Sequence, residues 1–352
     1  MNTALDATNE AMSLLPSLDD PRDEAFVLCT RIMASFFAGR IDEVRRLVPA
    51  THDAARRAGD PWTDALCALV DGELAHHDGR ADMAEAAFWR AVEGFGAVGD
   101  EFSLTMTLTE AAEIAEMRGD YDHALEMLTR GIEASARVGF SSHPLAMRTK
   151  VANITTLQGD LAVAERMQLE LIDDVGDQSA PWLRALSYVG LAVIARRGGR
   201  VDDADAWLTK AWSMSRTREV PVTQAMVLVA RGYTADMRAD ATAARRLQLD
   251  AYDAIQRHLM PRALANVLEG LAGALASAGT VPEAEHAARL LGAADHLRRR
   301  SGGPMPGPER FDVDRAEQRA RAVIGDARFD VEFASGSASD PDELVSAVRQ
   351  PA

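Results

Sequence analysis

Residues 118–128 read RGDYDHALEML, and how this stretch is understood decides the fold. Taken alone, Arg118-Gly119-Asp120 spells an adhesion tripeptide on a turn. Its glycine, however, has equivalents. Gly39, Gly79, Gly119, Gly159, Gly199 and Gly279 lie forty residues or a multiple of forty apart, and Ala239 fills the remaining register position. Neighbouring positions repeat in phase, as a helical-repeat array requires. Five residues after the hinge stand Val44, Ala84, Ala124, Ala164, Ala204, Ala244 and Ala284. Four before it stand Ser35, Ala75, Ala115, Thr155, Ala195 and Ala235, with Leu275 breaking the pattern in the last repeat. Eighteen before it stand Pro21, Pro61, Pro181, Pro221 and Pro261. The opening stretch is therefore a joint, and Arg118 and Asp120 merely flank it.

Each register has a physical meaning. Proline suits the first turn of a helix, where its missing N–H would be unpaired anyway, and Asp20 and Asp60 are placed to cap two such helices. Roughly sixteen helical residues then lead to the hinge, a rod of ~25 Å. The hinge glycine adopts the left-handed conformation that ends a helix, and a second helix follows. Small residues on both sides of the hinge let the two helices approach closely, and larger ones would overpack the contact. Leu275 predicts a looser or differently angled last pair. Gly59, Gly99 and Gly139 are placed to end three of the second helices.

The small residues around the hinge resemble the tetratricopeptide repeat, whose usual period is about 34; a forty-residue period lengthens each helix by nearly a turn. HEAT and armadillo repeats have the length but lack this Gly-Asp/Arg hinge. The predicted fold is all-α: a right-handed α-solenoid of about seven 40-residue tetratricopeptide-like helix pairs over 21–300, with a leader holding a short helix over 1–20. A Pro/Gly break and a helical C-terminal cap follow over 301–352. Neighbouring pairs must stack, because one pair cannot bury its own faces.

Composition agrees. The 352 residues are 47% hydrophobic but only 5% aromatic, which suits close-packed Ala-rich helices better than strands. A net charge of −16 argues against a general nucleic-acid or anionic-membrane binder. The N-terminus shows no basic or apolar signal pattern and no run reaches a membrane span, so a cytoplasmic protein is expected. Cys29 and Cys67 fall in apolar helical patterns and read as buried free thiols.

The text changes after the last hinge. Three segments, AARLLGAADHLRRRSGG (287–303), RAEQRARAVIGDARFDVEFASG (315–336) and DELVSAV (342–348), flank or follow the Pro/Gly-rich break at 302–308. A helix is expected around 309–324, a short amphipathic piece around 326–334, and a last helix from Asp340-Pro341 onward. With the repeats, this layout resembles the helical-repeat region of actinobacterial LuxR/MalT-like ATPase transcriptional regulators. That family usually carries an ATPase module and a DNA-binding domain. Here no G-x-x-x-x-G-K-[ST] occurs, since neither Lys150 nor Lys210 follows a glycine, and no basic recognition helix is present. The resemblance therefore implies the sensor or interaction part of such a regulator, free-standing or separated from the rest.

Positions six and three before the hinge should line the concave groove. They hold Glu73 and His76, Glu113 and Glu116, Asn153 and Thr156, Val193 and Arg196, and Tyr233 and Asp236, with Glu110 on nearly the same face as Glu113. The expected partner-binding residues are Glu73, His76, Glu110, Glu113, Asn153, Arg196, Tyr233 and Asp236. Such a polar stripe on Ala-rich helices reads as a site for a basic peptide or polar ligand, or else as a solvated, salt-bridged face. Glu73-Leu-Ala-His76 is a single Glu-x-x-His pair, whereas a di-iron bundle needs two. No metal, cofactor or catalytic residue is therefore assigned, and G-x-S-x-G is absent. His76 and His77 point apart on a helix. Trp62 and Trp182, each following a repeat-opening proline, read as inter-repeat packing. Arg196, Arg197 and Arg200, and Arg298, Arg299 and Arg300, read as solvated helix ends. The expected function is non-catalytic binding of a protein or peptide, such as a regulator or ATPase component, in transcriptional or signalling control. A small-molecule effector, held where the tail folds back on the last repeats, is the alternative, and a metal-dependent enzyme the remote one.

Overall fold

The computed structural model describes residues 2–17, 19–139, 143–175, 181–215, 221–255 and 261–349. Among them lie eighteen α-helices and no strand. The chain forms two compact units, one of residues 1–116 and 120–140, the other of 117–119 and 141–352. The first carries α1 (Asn2–Leu14), α2 (Pro21–Phe37), α3 (Ile41–Ala58), α4 (Pro61–His77), α5 (Ala81–Val98), most of α6 (Glu101–Met117), and α7 (Tyr121–Val138). The second carries the pairs α8 (His143–Leu157) and α9 (Leu161–Val175), α10 (Pro181–Arg197) and α11 (Val201–Ser215), α12 (Pro221–Met237) and α13 (Ala241–Ile255), and α14 (Pro261–Ala276) and α15 (Val281–Arg300). A short 3-10 turn at Gly307–Glu309 leads to α16 (Phe311–Ile324), α17 (Asp326–Ser337) and α18 (Pro341–Arg349). The protein is thus an α-solenoid of seven helix pairs with a helical C-terminal cap.

The joints have the expected conformation. All six hinge glycines have φ between 69° and 96°, and Ala239 adopts the same left-handed state at φ 61°. Gly59, Gly99 and Gly139 end α3, α5 and α7 in that state too. At the first six hinges the carbonyl four residues before the hinge accepts the N–H one residue after it, from Arg40 to Ser35 (2.8 Å) through to Asp240 to Ala235 (3.0 Å). At the seventh, Ala278 N–H donates to Leu275 O at 3.0 Å and α14 ends a residue early. Pro21, Pro61, Pro181, Pro221 and Pro261 each open a helix. Asp20 accepts from Arg22 N–H at 2.9 Å and Asp60 from Trp62 N–H at 3.0 Å, so both are N-caps.

Packing between helices follows the small residues. Val44, Ala84, Ala124, Ala164, Ala204, Ala244 and Ala284 are all fully buried. Nine residues after the hinge, larger side chains enter gaps that glycines leave: Phe88 against Gly72, Gln168 against Gly190, and Gln248 against Gly232 and Gly270. Removal of a Cβ there creates the space, so substitution would overpack it. In the first unit the leader is tied down by Arg31, which donates to Leu5 O (3.1 Å), Thr8 (3.0 Å) and Asn9 (2.8 Å) and pairs with Glu43 at 2.7 Å. Trp62 meets Phe26 of the preceding repeat at 5.8 Å between ring centroids and donates to Asp100 at 2.8 Å, as inter-repeat packing requires. Trp182 stands 36% exposed.

In the second unit the cap is built in two ways. Helix α17 lies backbone-close on α15: a Cβ on Gly336 would collide with the Arg289 carbonyl, and one on Gly292 with the Phe333 carbonyl. Phe329 fills the core beneath. Helix α16 buries Val313, Ala316 and Ala320 against α14 and α15 and adds ion pairs to Arg196 and Asp236.

Candidate functional site

Along the first unit, α4 and α6 bring three carboxylates together. Glu73, six residues before its hinge, is half-buried, and Glu110 and Glu113 on α6 are half-buried as well. Burial, then the negative charges of Glu110 and Glu113, push the Glu73 carboxyl well above the usual carboxylate range. Behind it the buried Cys29 thiol is pushed up to about 12 by burial, with Cys67 and Glu73 adding to the effect. Both cysteines are free and buried, and so poor nucleophiles. His76, three residues before the hinge, is half-buried beside this cluster's helix face. Chemically the arrangement holds excess negative charge and resists adding more. Among the described residues no three potential metal ligands are grouped to hold an ion.

In the second unit the chosen positions have definite partners. Asn153 on α8 accepts a hydrogen bond from the Gln168 amide at 3.0 Å and is otherwise exposed. Arg196 is only 4% exposed and grips Asp312 of α16 with both Nη atoms, at 2.6 and 2.8 Å. Its guanidinium also lies 5.1 Å over the Tyr233 ring. Tyr233 donates to the Asn266 carbonyl at 3.3 Å, and burial, reinforced by Glu269 and Asp312, raises its hydroxyl well above the ordinary range. Asp236, 3% exposed, accepts from Arg319 of α16 at 2.7 and 2.9 Å and also binds Arg315 and the Ser277 hydroxyl. Two of the eight expected partner-binding residues, Arg196 and Asp236, therefore engage the chain's own helix α16, and Tyr233 lies under the Arg196 guanidinium.

The same helix corrects the reading of the arginine clusters. Arg196 is buried, not solvated, because α16 covers it, and Arg197 reaches the Pro308 carbonyl at 2.6 Å. Arg298 is buried in a two-point pair with Glu269 (2.5 and 2.8 Å), whereas Arg299 stays exposed on Asp295. What the sequence reading missed is the occupant. Asp312, Arg315 and Arg319 are spaced i, i+3 and i+7 on α16, a one-face stripe that was available to inspection.

Where α16 and α17 fold over α14 and α15, a cavity of about 280 Å³ remains. Leu291, Met305, Val313, Phe329 and Phe333 supply its apolar wall, and the Glu269–Arg298 pair its polar end. No helix among the described residues is long and apolar enough to cross a membrane.

No family model matches the chain, and no curated protein does. Solved structures do. The apo form of RapI superposes with a TM-score of 0.62 at 11% identity, covering 79% of this chain and 98% of that one. A Rap protein complexed with Competence and Sporulation Factor gives 0.55 at 11% identity, with 94% and 98% covered. The apo form of the quorum sensor NprR from B. thuringiensis gives 0.52 at 12% identity, with 90% and 97% covered. At such identities the likeness is one of fold, and the fold it supports is the tetratricopeptide-like helical repeat.

Proposed function

We propose that this protein is a non-catalytic, tetratricopeptide-like interaction protein of the cytoplasm that captures a basic peptide or protein segment on α4 and α6 of its first unit. Its setting is transcriptional or signalling regulation, as the sensor or interaction region of a LuxR/MalT-like system. The observation that carries the reading is the strained acidity at Glu73. Its carboxyl is raised by burial and then by Glu110 and Glu113, and an arriving guanidinium or ammonium beside these three carboxyls favours their charged forms. His76 extends that face, and Asn153 offers an exposed amide in the second unit. Arg196, Tyr233 and Asp236 remain in the proposal as a second contact region, engaged only when α16 is not. Support from fold comes from Rap, one structure of which is a complex with Competence and Sporulation Factor, and from NprR, described as a quorum sensor.

The test is affinity capture with the intact chain as bait, comparing the wild type with E113K. A specific protein partner retained by the wild type and lost by E113K, with helicity unchanged, supports the reading; equal retention by both sinks it. A second reading, a small-molecule effector, has its own observation in the 280 Å³ cavity, near the small end of ligand-sized pockets. Native mass spectrometry would then find a metabolite co-purifying with the wild type and absent from a cavity-filling V313W variant.

A further inference from the structure

Helix α16 occupies the second unit as a ligand occupies a groove. Of the positions six and three residues before successive hinges, Arg196 on α10 and Asp236 on α12 bind its charged stripe, Gly273 on α14 lies under it, and Tyr233 on α12 supports the Arg196 guanidinium. Gly273 has no side chain, and Ala316 of α16 lies 3.9 Å from where its Cβ would stand. Small residues at 316 and 320 let the helix sink in, while Asp312 and the two arginines reach complementary charges on either side. This is helix-in-groove recognition, read by anchors one and two turns apart.

The fit leaves donors unmet. The buried Nε atoms of Arg196 and Arg315 have no hydrogen-bond acceptor among the described residues, and a buried guanidinium N–H without a partner is unfavourable. The adjoining α17 is held differently, by backbone approach at Gly292 and Gly336, and a helix seated that way has no easy substitute. Ten residues, 301–310, tether α16 to α15, rich in Gly and Pro and enough chain to let α16 leave without moving α15.

We propose that the face formed by Arg196, Tyr233, Asp236 and Gly273 is a helix-recognition site whose partner is a helix of another protein with Asp at i, Arg at i+3 and i+7, and small residues at i+4 and i+8. Helix α16 carries that pattern itself and is the resident competitor. The inference deepens the interaction-protein reading and rests on it, but it concerns a different face from the carboxylates of α4 and α6.

The probe is a labelled peptide of residues 309–324, ERFDVDRAEQRARAVI, titrated by fluorescence anisotropy into the full chain. In R315A/R319A the resident helix competes less, so apparent affinity rises about tenfold or more over the wild type. A peptide with Asp312→Arg, Arg315→Glu and Arg319→Glu does not bind, and E113K in the chain changes nothing, which separates this result from the fate of the first-unit reading. Equal affinity for wild type and variant, or binding to neither, overturns the proposal. Should R315A/R319A lose helicity, hydrogen exchange on the wild type decides: excess peptide speeds exchange in 311–324 and leaves 326–337 unchanged, and no change in 311–324 overturns it. A wild-type dimer that the peptide dissociates would make the occupant a second copy's α16 and overturn the assignment to another protein's helix.

Discussion

Three residues before the hinge, the first unit presents His76 and Glu116, and the second presents Arg196 and Asp236. In the first unit the groove-side positions gather like charges around Glu73, whose carboxyl holds its proton the more tightly for it. In the second, an arginine and an aspartate are each matched by an opposite charge on α16. The repeat fixes where a side chain stands; what meets it depends on the rest of the chain. One face concentrates carboxylates around a half-buried one, and the other meets its charges with those of α16.

The largest expected effect tests the answered face. Asp236→Ala strips Arg315, Arg319 and Ser277 of their shared acceptor and should lower unfolding free energy by about 3 kcal/mol, measured by urea denaturation. Glu113→Ala on the half-buried face of the first unit should cost less, about 1 kcal/mol, the centre of the range for point substitutions. Equal losses would abolish the distinction.

A smaller effect tests the carboxylate face through pH. The folded Glu73 carboxyl lies above its unfolded value of about 4.3, so the folded chain keeps that proton longer. Stability contributed by this group is therefore greatest below about pH 4, falls as pH rises through the folded value, and stays lower above it. Glu73→Gln should stabilise the protein by on the order of 1 kcal/mol at pH 8 and by nothing near pH 4. A gain that persists at pH 4 would point to packing instead of charge.

The smallest effect concerns the joints. Six hinges use glycine, and Ala239 holds φ 61° without that freedom. Ala239→Gly should raise stability by about 0.5 kcal/mol in the same assay, left-handed strain relieved minus the entropy glycine adds to the unfolded chain. Gly199→Ala should move stability the other way.

The hinges were legible because their causes are local. A positive φ, a small residue four before, another five after and a proline eighteen before all act within one helix pair, so a single sequence displays them. The occupant of the second unit was not legible. Arg196 meets Asp312 across 116 residues of sequence, and nothing local tells which of two charged stripes will face each other. Arg298 was read as a solvated helix end because the macrodipole favours it there, and long-range burial against Glu269 overrode that preference. Likewise Gln168 and Gln248 entering glycine gaps needed two helices at once.

The most direct measurement is hydrogen exchange on the intact wild-type chain, alone and saturated with the captured partner. The account predicts added protection concentrated in 61–77 and 101–117, the helices that carry Glu73, Glu110 and Glu113. Protection confined to the second helices at 81–98 and 121–138, or no change in 61–77 and 101–117, would contradict it.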